Sequence, residues 1–139
     1  TERLKLLAWH LDQVHENYPE TFDLNVWKCG STACAMGHAC DVPEFREAGL
    51  YLRRIHHNDT VHQGTLTPVY QGMEGIEAAA RLFDIPCSTA RRLFLADSYP
   101  DDVATTAAQV AARIRAVVAE EEEDRKAETT NPTEDPNRA

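Results

Sequence analysis

The chain has 139 residues, 42% of them hydrophobic, with 23 acidic and 14 basic side chains and a formal net charge of −9. This length and apolar content fit one compact domain with a modest core, rather than two domains or a small disulfide-rich protein. The acidic balance disfavours a general binder of nucleic acid or anionic membranes, because those partners require a basic face. No apolar run approaches the roughly 18 residues of a membrane span, and no signal pattern begins the chain, so we expect no membrane association and a cytoplasmic protein.

The negative charge is concentrated at the C-terminal end. Residues 120–139 hold eight acids and three bases, a net charge of −5, and the remaining −4 is spread over residues 1–119. We therefore expect a helical domain over 1–119, followed by an acidic helix end and a flexible tail over 120–139. Such a tail serves solubility or docks onto a basic partner.

The first predicted helix lies at the N-terminus. Leu4, Leu7, Leu11 and Val14 recur three and four residues apart, which predicts a first helix that ends before Pro19. The alternating residues 22–27 fit either a short strand or a loop with buried anchors.

Two shorter helices are predicted next. Ser31 or Thr32 is expected to cap a second helix that runs to about Cys40. Pro43 near a first helical position begins a third helix, and Gly49 ends it.

The middle of the chain has strand composition. Residues 50–55 and 65–70 are predicted to pair as a small hairpin across the polar residues 56–64, in which we expect the histidines His56, His57 and His62 to be exposed. Two short amphipathic helices follow at 76–83 and 88–96.

A capping box begins the last predicted helix, since Thr106 can bond the backbone of Gln109 while the Gln109 side chain reaches back. The helix then places Val110, Ile114 and Val118 on one apolar face. Together these elements predict a mainly α, α-rich α+β fold, a single compact domain of five or six helices with a small two-stranded hairpin around residues 50–70.

The densest group of chemically capable side chains comprises Cys29, Cys34, His38 and Cys40. Thiolates and imidazole are zinc ligands, so a zinc site is one interpretation. It is disfavoured because Cys34 and His38 share a helix face from which Cys40 is rotated by about 240°. The spacing also differs from the usual paired-cysteine knuckle.

Two other interpretations of the same residues compete with zinc. Cys34 near a helix N-terminus with His38 one turn later could form a thiol–imidazole catalytic pair, although the small apolar neighbours predict burial, which makes a thiol inert. The interpretation that explains most of the residues is structural. Small side chains then allow close packing around a core histidine whose ring donates to a carbonyl.

The same segment carries a family resemblance. It reads Trp27-x-Cys29-Gly30-Ser31-x-Ala33-Cys34-Ala35-x-Gly37-His38-Ala39, followed by Pro43-x-Phe45-x-x-Ala48-Gly49-Leu50 and Ala79-Ala80-x-Leu82-Phe83. This pattern resembles a group of small uncharacterised proteins of bacteria and their phages, over residues 1 to about 118. The resemblance implies a phage or mobile-element origin in a bacterial host cell, and no particular activity.

A second segment, residues 78–95, is similar to the helix-turn-helix of DNA-binding proteins. Its small and apolar positions have the spacing of that motif's interior: Ala80, Ile85, Ala90 and Leu93. Ser88, Arg91 and Arg92 would then lie on the outward face of the recognition helix. Two features argue against DNA binding, since Asp84 stands where the turn usually has glycine and residues 76–100 carry no net charge.

The sequence thus favours a non-enzymatic protein that acts by binding another macromolecule, with a protein partner preferred. A helix-turn-helix regulator that uses Ser88, Arg91 and Arg92 is the alternative, and a zinc or thiol site at residues 29–40 is a further one. No catalytic residue is assigned, no cofactor is favoured, and an enzyme is disfavoured because no catalytic motif occurs in the sequence.

Overall fold

The computed structural model describes residues 1–23, 28–29, 32–54, 66–100 and 104–130, with the backbone alone at 28, 29, 32 and 127–130. Six α-helices lie in these ranges: α1 Glu2–Asn17, α2 Ala35–Ala39, α3 Pro43–Ala48, α4 Gly75–Phe83, α5 Cys87–Phe94 and α6 Ala107–Thr130. The strands are β1 Lys28–Cys29, β2 Thr32–Ala33, β3 Tyr51–Arg54, β4 Leu66–Tyr70 and β5 Met73–Glu74. The predicted mainly α class with a small hairpin in the 50–70 region is confirmed.

The two long helices, α1 and α6, pack antiparallel and carry much of the core. Lys5 Nζ lies 3.0 Å from Glu122 Oε2 at one end of the pair, and Asp12 binds Arg115 further along. The apolar faces predicted for both helices are buried: Leu4, Leu7, Leu11 and Val14 in α1, and Val110, Ala111, Ile114, Val117 and Val118 in α6. The capping box is present, because Gln109 N donates to Thr106 Oγ1 at 3.2 Å and Thr106 N donates to Gln109 Oε1 at 2.7 Å. Within the described residues, no helix has the length and apolarity needed to cross a membrane.

The second predicted helix is shorter than expected. Thr32 lies in β2 and pairs with Cys29 of β1, and the N-cap of α2 is Cys34, so Thr32 does not cap this helix. Backbone pairing between β1 and β2 therefore replaces the side-chain cap expected at this end of the helix. Gly49 ends α3 in the left-handed region at φ 116°, as predicted.

The central sheet has one strand more than predicted, in the order β3-β4-β5. β3 and β4 form the expected antiparallel hairpin, with Tyr51 opposite Val69 and Arg54 opposite Leu66. β5 then returns across a two-residue turn in which Gln71 and Gly72 both have positive φ, as a tight hairpin requires. The predictions for residues 24–27, Ser31, 56–64 and the tail 131–139 fall outside the described residues.

Candidate functional sites

The cysteine and histidine segment lies in the core. Every residue of α2 is buried, including His38 at 6% exposure, and Cys34 immediately before it is 1% exposed. His38 Nε2 lies 3.0 Å from the carbonyl oxygen of Thr21, and its ring stacks on Phe22. This is the environment expected of a core histidine with a carbonyl partner.

Burial also determines the chemistry of Cys34. It raises the pKa of the thiol to about 11, even though the backbone N–H groups of Gly37 and Met36 act in the opposite direction. A thiol with this pKa is protonated near neutral pH and is a weak nucleophile. The geometry therefore gives no support to a Cys34–His38 catalytic pair.

A metal site finds no support in the described part of the chain either. Among the described side chains, no three of His, Cys, Asp or Glu come together as a ligand set. Cys40 is buried after the end of α2, and the side chain of Cys29 lies outside the description. The zinc interpretation stays an untested prediction.

Helices α4 and α5 have the buried positions and the sharp turn that the sequence pattern predicts. The four interior positions are all buried, namely Ala80, Ile85, Ala90 and Leu93. The turn begins at Asp84, whose φ of 55° and ψ of 54° are left-handed, and Ile85 N donates to Ala80 O at 3.0 Å. Asp84 thus adopts the conformation for which the motif usually employs glycine.

The predicted contact residues lie on the solvent side of this helix pair. Ser88, Arg91 and Arg92 are all exposed on α5, which also buries Leu93 and Phe94 against the core. The structure therefore brings these three residues together on one exposed helix surface. It does not bring them near the Cys34–His38 segment, which is buried elsewhere in the core.

The C-terminal end of α5 is held by side chains from later in the chain. Arg113 of α6 donates to the carbonyl of Arg92 at 2.9 Å and to that of Ser98 at 2.7 Å. The Tyr99 hydroxyl donates to the carbonyl of Leu93 at 2.7 Å, and Ser98 Oγ donates to that of Arg91 at 2.9 Å. The bonds to Arg92 and Leu93 satisfy carbonyls that the end of α5 leaves without helical partners, and the Arg113 bond connects α5 to α6.

Helix α4 is anchored by a side chain of the first helix. The Arg3 guanidinium of α1 donates to the carbonyl of Leu82 at 2.8 Å, within the last turn of α4. Sequence reasoning missed both Arg3 and Arg113, because each reaches a helix end across many residues and no local motif marks such a contact.

The acidic helix end contacts the rest of the domain at several points. Glu120 Oε2 lies 3.6 Å from Arg92, and Glu122 pairs with Lys5. Glu121 accepts a hydrogen bond from Thr1 at 3.2 Å, and α6 continues without a break to Thr130. Because basic side chains of α1 and α5 meet these carboxylates, part of the C-terminal charge is balanced within the chain.

The Arg92–Glu120 contact links the two features that the sequence suggested separately. It joins the exposed surface of α5 to the acidic end of α6, and both side chains are more than half exposed. An anion that approaches Arg92 therefore competes with a carboxylate of the same chain.

Comparison of the chain with protein-family models, with curated proteins and with solved structures finds no match.

Proposed function

We propose that the protein is non-enzymatic and binds duplex DNA through α4 and α5, with α5 in the major groove. The observation that carries this proposal is the joint geometry of the pair: four buried interior positions, a left-handed Asp84 turn, and exposed Ser88, Arg91 and Arg92 on α5. In such a motif the first helix lies against the backbone, and the N-terminal part of the second contacts base edges.

The exposed side chains of this helix pair are suited to different kinds of DNA contact. Ser88, in the first turn, can bond base edges as donor or acceptor, and arginine binds guanine through two parallel hydrogen bonds. Arg81, exposed on α4, would contact a phosphate. The firm anchoring of α5 by Arg113 and Tyr99 supports such a role, because base readout requires side chains on a rigid element.

The charge of the helix pair limits the affinity. Three arginines on α4 and α5 stand against Glu77 and Asp84 on and after α4, and Glu120 already pairs with Arg92. Each phosphate contact contributes a slope of about −0.9 in a plot of log affinity against log salt. With at most three such contacts we expect a slope no steeper than about −2.7, far shallower than for a protein with a broad basic face.

The test is selection from a random-sequence duplex library, followed by fluorescence anisotropy on the enriched duplex. Arg91→Ala is expected to weaken binding by roughly 5- to 150-fold, the range of one lost arginine–guanine contact. Arg46→Ala is the matched control, because Arg46 is an exposed arginine on α3 and should leave affinity unchanged. Failure to enrich any duplex, or equal affinities of the two variants, would reject DNA binding.

A basic protein partner is the second candidate. The exposed carboxylates of Glu123 and Asp124 on the acidic end of α6 support it. A lysine-rich peptide should then bind the protein, and Glu123→Lys with Asp124→Lys should abolish that binding. Unchanged peptide binding by this double variant would reject the acidic end as the docking site. Association with a phage or mobile element is proposed on the family resemblance of residues 27–39, 43–50 and 79–83 alone.

A further inference from the structure

The outer surface of the α1/α6 pair has apolar side chains at its centre. Trp9 is 58% exposed on α1, and Ala116 and Ala119 are exposed on α6. Because the helices are antiparallel, with residue 5 beside 122 and residue 12 beside 115, Trp9 lies level with residues 118 and 119. A large aromatic side chain left in water is the kind of group that protein interfaces bury.

Two ion pairs frame this centre. Lys5 pairs with Glu122 at one end and Asp12 pairs with Arg115 at the other. The signs therefore alternate around the four corners: positive and then negative along α1, and negative and then positive at the same levels of α6. We call the surface formed by Trp9, the two exposed alanines and these four charged residues the outer face.

This arrangement of charges is complementary to itself. A two-fold axis in the plane of the outer face, parallel to the helices, places α1 of one copy on α6 of the other. Lys5 of one copy then meets Glu122 of its partner, and Asp12 meets Arg115. All four contacts across the interface are between opposite charges. This pattern disfavours arrangements in which one copy is displaced along the helices of the other.

A groove on the outer face lies where the same axis would bring the partner's tryptophan. It measures about 300 Å³ and is lined by Lys5, Arg115, Val118, Ala119 and Glu122. Since Trp9 is level with residues 118 and 119, each copy's indole would reach the groove of the other. Two aromatic side chains would be buried in equivalent pockets, each surrounded by paired charges.

We propose that the outer face binds a second copy of this chain, with Trp9 of each copy in the groove of the other. This dimer does not depend on the proposed DNA function. Its contacts lie on α1 and α6, whereas Ser88 and Arg91 lie on α5. A dimer without DNA binding, or DNA binding by a monomer, would therefore separate the two proposals.

Sedimentation equilibrium of the full chain tests the dimer. We expect a monomer–dimer equilibrium that Trp9→Ala weakens at least tenfold, with unchanged circular dichroism. Tyr51→Ala is the matched control, because Tyr51 is an exposed aromatic on β3 and should leave association unchanged. A chain that remains monomeric at about 1 mM would overturn the proposal, as would equal association of the two variants.

Charge exchange tests the orientation of the axis. Lys5→Glu alone places a carboxylate against Glu122 of both copies and is expected to weaken association. The double variant Lys5→Glu with Glu122→Lys restores opposite charges within each copy and across the proposed axis, so association should return. An axis across the helices would instead set residue 5 against Asp12 of the partner, with like charges. Failure of the double variant to recover association would therefore overturn the proposed arrangement.

Discussion

The guanidinium of Arg113 lies over the ring of Tyr99, 3.8 Å from its centroid, and both side chains bind carbonyls in the last turn of α5. The arginine stacks on the ring while it donates to Arg92 O, and the tyrosine donates to Leu93 O. This pair connects α6 to the C-terminal end of the helix that we propose enters DNA. The position of α5 is thus determined by residues outside the helix-turn-helix itself.

Removal of the Tyr99 hydroxyl is expected to destabilise the fold. Tyr99→Phe leaves the carbonyl of Leu93 without its side-chain donor in a buried setting, which costs about 1–3 kcal/mol of unfolding free energy. Urea unfolding measures the loss, and Tyr18→Phe serves as control because Tyr18 is 62% exposed. Equal stabilities of the two variants would show that the Leu93 contact contributes nothing.

Ionisation of the Tyr99 hydroxyl is expected to make the folded protein less stable at alkaline pH. Burial raises the pKa of Tyr99 to about 12, from 10 for an exposed phenol, although Arg113 acts to lower it. The folded state therefore favours the protonated form, and this contribution is complete below pH 10 and declines between pH 10 and 12. In Tyr99→Phe, the loss of unfolding free energy between pH 10 and 12 should be smaller by this contribution. Denaturation at a fixed urea concentration across this pH range measures the difference.

Glu120 should act as an internal competitor of DNA. Its carboxylate lies 3.6 Å from Arg92, so a phosphate must displace it. Exposed pairs of this kind typically contribute about 0.2–1 kcal/mol, and we therefore expect Glu120→Gln to raise DNA affinity by roughly 1.4- to fivefold. Glu44→Gln, an exposed glutamate on α3, should have no such effect when measured by anisotropy at the same salt concentration. An unchanged affinity in Glu120→Gln would exclude the competition.

Sequence reasoning succeeded where the determining contacts are local. The Thr106–Gln109 box and the buried spacing of Ala80, Ile85, Ala90 and Leu93 are each contained within a few turns, and the structure has them as predicted. The exposure of Ser88, Arg91 and Arg92 follows from the same helical period.

It failed where distant residues compete for the same groups. The start of α2 is displaced because Thr32 pairs with Cys29 in a strand, which a capping argument does not consider. The contacts of the acidic helix end with Lys5 and Arg92 were not predicted, because both residues lie far from residue 120 in the sequence. The anchoring of α5 by Arg113 was hidden for the same reason.

The left-handed turn predicts a stabilising substitution. Asp84 has φ 55° and ψ 54°, a conformation that costs a non-glycine residue up to about 1–2 kcal/mol. Asp84→Gly should therefore raise the unfolding free energy by about 0.5–1 kcal/mol, once the greater freedom of the unfolded chain is subtracted. Asp97→Gly is the control. Asp97 lies in the 3₁₀ turn Ala96–Ser98 and has no positive φ, so glycine at this position should lower the unfolding free energy. A loss of stability in Asp84→Gly would show that the aspartate side chain contributes more than its strain costs.

Protonation of His10 is expected to make the folded protein less stable at acidic pH. It lies half-buried on α1, and its Nε2 is buried with no hydrogen-bond partner within the described structure. Burial lowers the pKa of His10, and this effect exceeds the opposing influence of Asp41 and of the His38 backbone. The unfolded chain therefore binds a proton more readily than the folded protein. The stability is complete above pH 6.5, where both states are neutral, and declines as the pH falls from 6.5 towards the folded pKa.

Replacement of the imidazole should remove this decline. His10→Gln cannot be protonated, so its unfolding free energy should vary less between pH 7.5 and 5.5 than that of the parent chain. Urea titrations at the two pH values provide the comparison, with His15→Gln on the exposed side of the same helix as control. The control should keep the parental pH dependence. If His10→Gln keeps it as well, the acid sensitivity arises from another group, and the buried Nε2 carries no energetic cost of protonation.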